Sequence, residues 1–140
     1  MNNSNTEALV RRYYEEALSK ADWHTLHTIV SPEFVEHEIV PSIPPTRDGL
    51  AQKYDLLRTG CPDLCFTVED IFSVGERVAA RVTVRGTNAG AFMGRPPSGR
   101  SFAAATVGIF RIAGGQIVEH WGVFDQMAMI AQLGLFPGQA

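Results

Sequence analysis

The run Ile117-Val118-Glu119-His120-Trp121-Gly122-Val123-Phe124-Asp125 ends in a carboxylate. Strand alternation, with a period of two, places Trp121, Val123 and Asp125 on one face. A carboxylate beside an indole in an apolar cavity is poorly solvated, which makes it a stronger base. Such a base can remove a proton next to a carbonyl group and later return it. A structural role competes: Met127 follows closely, so Asp125 could cap a closing helix.

Histidines are the other candidates for acid–base work. His37 lies in the stretch Phe34-Val35-Glu36-His37-Glu38. A neutral imidazole there could donate to a substrate carbonyl or orient Asp125; Glu36 or Glu38 could instead hold it at the surface. Strict alternation sends His120 to the face opposite Asp125. A bulge at Gly122 would bring both inward, because glycine tolerates the dihedrals a bulge needs. Tyr14, Phe34, Tyr54 and Trp121 are the aromatic side chains expected around a substrate, although aromatic residues on such stripes more often fill the core.

Metal chemistry finds little support. His24 and His27 sit one helical turn apart without a third ligand at a clear spacing. A composite set of His37, His120 and Asp125 has the right donor types but no coherent spacing, so no metal is expected. Cys61 and Cys65 are three residues apart rather than two, and no second pair exists. They read as reduced thiols. No GxGxxG, GxSxG, HExxH or P-loop sequence occurs.

These residues need helices and strands to hold them. Ser4 and Glu7 fit a capping box before a helix whose stripe is Leu9, Val10, Tyr13, Tyr14, Ala17 and Leu18. Asp22 can cap a second helix, interrupted at Ser31-Pro32. Phe34 to Val40 reads as a short extended segment. Thr46 can cap a third helix carrying Leu50, Tyr54 and Leu57 and ending near Gly60 and Pro62. The period then changes to two. Leu64–Val74, Arg77–Thr87, Ser101–Ala113 and Gln116–Asp125 read as strands, with Gly114-Gly115 a strong hairpin signal. In the second of these, Val78, Ala80, Val82 and Val84 face the core and Arg77, Arg81 and Arg85 face away. A Gly- and Pro-rich loop spans Asn88 to Arg100, and Met127–Leu133 reads as a closing helix. Helices segregated from a strand meander predict an α+β fold.

The chain has 140 residues, 45% of them hydrophobic and 19% charged. One domain over residues 1–140 with a large apolar core or cavity is expected. The net charge of -3 argues against a nucleic-acid partner. No apolar run reaches the length of a membrane span, and the polar N-terminus lacks the order of a signal peptide. A cytoplasmic location is the expectation.

Six segments occur in a telling order: Phe34-Val35-Glu36-His37, Arg85-Gly86-Thr87, Gly90-Ala91-Phe92-Met93-Gly94, Pro97-Ser98-Gly99-Arg100, Glu119 to Asp125, and Gln132-Leu133-Gly134. Together they resemble the SnoaL-like polyketide cyclase family, part of the nuclear-transport-factor-2-like (NTF2-like) superfamily. The resemblance implies a cone in which a curved antiparallel sheet, wrapped by N-terminal helices, surrounds an apolar pocket. It also implies acid–base chemistry without a cofactor on a small hydrophobic carbonyl compound. Intramolecular aldol closure of a polyketide ester is the most specific version. Hydroxylation of an aromatic polyketide and non-catalytic binding of a hydrophobic ligand are the alternatives. By resemblance, Asp125 matches the family's key aspartate and His37 a pocket residue, and a homodimer is expected. One departure stands out. In Ala103-Ala104-Ala105-Thr106-Val107-Gly108-Ile109, Thr106 is the only hydrogen-bonding side chain, which predicts a drier pocket than in characterised cyclases.

Overall fold

The structure, a computed structural model, describes residues 3–138. Helix α1 spans Asn3–Arg12 and continues as a π-helical segment, Tyr13–Leu18. The wider turn, with Ser19 N bonded to Tyr14 O five residues back, lets adjacent Tyr13 and Tyr14 both turn inward. The proposed capping box is absent: α1 already includes Ser4, and Glu7 instead accepts from Ser73 Oγ at 2.5 Å. Helix α2 (Trp23–Ile29) starts where Asp22 accepts from Thr25 N. Helix α3 (Arg47–Gly60) starts where Thr46 accepts from Gly49 N. Both caps match their sequence signals.

Five strands form one curved sheet: β1 (Val30–Glu36), β2 (Cys65–Val74), β3 (Arg77–Thr87), β4 (Ser101–Ala113) and β5 (Gln116–Phe124), in the order β1-β5-β4-β3-β2. The last four form the antiparallel meander, but β1 joins β5 in parallel, so the sheet is mixed. β1 also begins four residues earlier than Phe34, because the chain extends directly from the end of α2 through Pro32. Pro32 is tolerated because β1 is an edge strand. Helix α4 (Gln126–Gln132) closes the chain.

The concave face carries Val78, Ala80, Val82 and Val84 from β3, and Phe102, Ala104, Thr106 and Phe110 from β4, all buried. Arg77, Arg81 and Arg85 lie on the outer face, and Arg81 pairs with Asp70 there. The N-terminal helices pack Val10, Tyr13, Leu18 and Leu26 into the same core. Among the described residues, no helix is long and apolar enough to cross a membrane.

One irregularity decides what faces inward on β5. Arg111 pairs with Glu119, yet Ile112 pairs with Ile117. Val118 is therefore an extra residue, a bulge that reverses the alternation beyond it.

Candidate active site

Between the concave face, α3, α4 and the β3–β4 loop lies a cavity of about 400 Å³. Its walls are mostly apolar: Leu57, Phe66, Val84, Phe92, Phe124, Met129 and Ile130. The polar side chains reaching it include Tyr14, Glu38, Lys53, Tyr54, Thr106 and His120.

His120 is the best-defined of these. It is buried, and its Nδ1 lies 2.6 Å from Glu36 Oε1, itself buried on the neighbouring strand. A carboxylate can only accept, so Nδ1 carries a hydrogen, and in the neutral imidazole the lone pair is then on Nε2. Among the described residues, Nε2 makes no hydrogen bond. Glu36 Oε1 is held in turn by Glu38 N at 3.0 Å.

Two glycines make room for this imidazole. Gly108 on β4 and Gly122 on β5 are direct cross-strand neighbours. A Cβ on Gly108 would sit 2.5 Å from Tyr14 Oη and 3.0 Å from His120 Nε2; one on Gly122 would sit 2.8 Å from both His120 Nε2 and Glu38 Oε1. The missing side chains thus leave a notch on which a phenol, an imidazole and a carboxylate converge.

Electrostatics sorts donors from acceptors. Burial pushes the phenols of Tyr13, Tyr14 and Tyr54 upward, with nearby acidic groups adding to the shift for Tyr14, so Tyr14 is a neutral donor at ordinary pH. Burial works against the Lys53 ammonium, but Tyr54, Glu38 and Glu36 outweigh it and raise its pKa above the usual lysine value. Lys53 is therefore a fixed cation, paired with Glu38 Oε1 at 3.1 Å. Thr106 Oγ1 donates to Val123 O at 3.3 Å.

The sequence-predicted residues divide into two groups. Tyr14, Tyr54 and His120 line the cavity, and the bulge that turns His120 inward is at Val118 rather than Gly122. Asp125 does not reach the cavity: it is exposed and caps α4, accepting from Ala128 N at 3.0 Å. Trp121 lies on the outer face, stacked on His37 at 4.7 Å and covered on its ring by Arg77 at 4.8 Å. His37 Nε2 meets Glu119 Oε2 at 2.8 Å, also on that face. Phe34 is core, outside the cavity lining. The extra residue at Val118 explains Trp121 and Asp125, since it exchanges the two faces of β5. The composite metal set is not assembled: His120 points inward while His37 and Asp125 lie outside.

Glu36, Glu38 and Lys53 are the site residues that sequence reasoning passed over. A signal for two of them was present. Phe34 is apolar and inward, so a period of two carries Glu36 and Glu38 inward and His37 outward.

Comparison with known proteins agrees with this architecture. The model of the family described as SnoaL-like polyketide cyclase matches residues 8–133. Among curated proteins none matches. Wild-type IdmH from Streptomyces antibioticus, a candidate polyketide cyclase, is 35% identical with a TM-score of 0.80, over 94% of this chain and 97% of that one. TsrD from Streptomyces laurentii is 25% identical with a TM-score of 0.85, over 97% and 99%. AclR from Streptomyces galilaeus, a candidate hydroxylase, is 27% identical with a TM-score of 0.80, over 98% and 85%.

Proposed function

This chain belongs to the SnoaL-like polyketide cyclase family, and on that premise we propose that it is an acid–base enzyme acting on a hydrophobic carbonyl compound, with His120 as the base. The observation that carries the reading is the Glu36–His120 pair, which presents an Nε2 without a hydrogen-bond partner among the described residues to a mostly apolar cavity.

In its most specific form the reaction is an intramolecular aldol cyclisation of a polyketide ester. His120 Nε2 takes a proton from the carbon next to a carbonyl group. The C–H electron pair becomes the C=C bond of an enolate, whose oxygen accepts a hydrogen bond from Tyr14. Glu36 stabilises the imidazolium that forms. The enolate carbon then attacks a second carbonyl of the same molecule, forming the new C–C bond. The resulting alkoxide takes the proton back from His120, so no net proton is lost. Lys53, paired with Glu38, keeps a positive charge close to the developing oxyanion.

Similarity to AclR supports a second reading, hydroxylation of an aromatic compound, in which the same carbanion adds to molecular oxygen. The peroxide anion takes up the proton held by His120, and the hydroperoxide loses water across its C–H and O–O bonds. This leaves a new C=O group on the ring, the second oxygen atom departing as water. Oxygen uptake separates the two. The deciding experiment is turnover of a polyketide ester by the wild type and by His120→Gln, in air and under argon. A wild type that binds such compounds but turns over none of them would make the chain a binding protein instead.

We also propose a homodimer formed through the outer sheet face. Phe72, Val107, Ile109 and Val123 are exposed there. A sheet with one face uncovered offers a self-complementary surface.

A further inference from the structure

The β3–β4 loop sets one aromatic ring on a glycine of α3. Asn88, fully buried, ties the loop at its base. Its Nδ2 donates to Gly60 O at 3.2 Å and Gly90 O at 2.8 Å, and its Oδ1 accepts from Ser98 N at 2.9 Å. Gly90 N donates to Gly60 O at 3.1 Å, and a side chain at Gly90 would collide with the Thr59 carbonyl. The loop is therefore clamped against the C-terminal end of α3.

Its tip is a tight turn. Phe92 and Arg95 exchange backbone hydrogen bonds of 3.0 Å around Met93 and Gly94, both at positive φ, +54° and +71°. The turn lays the Phe92 ring across Gly60, where a Cβ would come within 2.6 to 2.7 Å of Phe92 atoms. The half-buried ring forms a cavity wall, while Met93 stands exposed at the rim with Leu56 and Ile39.

We propose that Phe92, seated on Gly60, is the specificity-determining residue of this cavity and limits the number of fused rings in the carbonyl compound it accepts. The inference rests on the proposed reading of the cavity as a site for such compounds. The clamp at Asn88 and Gly90 holds the backbone, and α3 blocks the ring from behind. A ligand that needs this space must therefore displace the ring from its seat, whereas a smaller one packs against it.

Equilibrium dialysis with 1-tetralone, anthrone and 5,12-naphthacenequinone, which have two, three and four fused rings, tests this. The wild type should discriminate against the four-ring probe. Phe92→Ala should raise four-ring affinity relative to two-ring affinity by about tenfold or more, and Phe92→Leu by less. Gly60→Ala should change the ranking when Phe92 is present and leave it unchanged in the Phe92→Ala background, because the ring it would meet is gone. The same ranking in wild type, Phe92→Ala and Phe92→Leu, each shown folded by circular dichroism, would overturn the proposal. Failure of every probe to bind every variant would overturn both this proposal and the reading of the cavity. The expected ranking without any turnover of a polyketide ester would overturn the enzymatic reading alone.

Discussion

Glu36 and His120 are partners twice over: they pair in the parallel register of β1 and β5, and their side chains meet at 2.6 Å. The strand pairing that builds the sheet edge therefore also sets the tautomer of the imidazole. Nothing has to move for Nε2 to be an acceptor when a ligand arrives, which is the condition for an efficient positioned base.

His120→Gln should lower turnover of a polyketide ester by roughly a hundred- to ten-thousand-fold, the range for a lost general base. Glu36→Gln should cost less, since the imidazole stays in place but loses its anionic partner. Steady-state turnover with circular dichroism on each variant checks this. A folded, fully active His120→Gln protein would remove His120 from the mechanism.

Asp125 makes the opposite prediction. As the cap of α4, Asp125→Ala should cost about 1 kcal/mol of stability, whereas Asp125→Asn keeps an acceptor oxygen and should cost only a few tenths. Neither should change turnover by more than about twofold, because the side chain points away from the cavity. Thermal melts alongside turnover decide it. A folded Asp125→Asn protein with a large loss of rate would return the base to Asp125, as the family resemblance implies.

Hydrogen bonds from His37 and then Arg111 hold the Glu119 carboxyl below the usual carboxylate range. A depressed carboxylate pKa means that the unfolded chain binds this proton more readily. The stabilisation is therefore present above the unfolded value, near pH 4, and is lost as pH falls through the folded one. Glu119→Gln should flatten the acid limb of melting temperature against pH between about pH 5 and 3. An unchanged acid limb would show that this exposed cluster contributes nothing to folding.

If the outer sheet face pairs two chains, Val123→Lys should split them, because the side chain is 76% exposed on that face. Sedimentation equilibrium should give two chains for the wild type and one for the variant, with probe binding in the cavity retained. A wild-type particle of one chain at all working concentrations would exclude the homodimer.

Where sequence and structure agree, the signals are local. Asp22 and Thr46 cap as their positions indicate, because an N-cap needs only its own side chain and the next turn. The bounds of β3 and β4 and the Gly114-Gly115 turn follow from period and turn chemistry, and both glycines take positive φ. The candidate site was only half legible. Tyr14 and Tyr54 lie on helical stripes that the sequence reveals, whereas the inward face of β5 depends on Val118, an insertion visible only against the partner strand β4. The parallel placement of β1 is likewise a tertiary choice, and with it came Glu36, whose role exists only beside His120.

The π-helical turn at Tyr13–Leu18 has a consequence for descent. It holds one residue more than an ordinary helical turn, so the chain could lose a codon there and relax to an α-helix without breaking the segment. Such a deletion would rotate the part before it by about 100° relative to the rest. The inward stripe of Thr6 and Val10 would then fall out of line with that of Ala17 and Leu18, or Tyr13 and Tyr14 could no longer both turn inward, the first into the core and the second to the cavity. The phenol at the notch is thus exposed to a kind of heritable change that substitution scanning never samples, and a lineage could discard it by shortening its gene by three nucleotides.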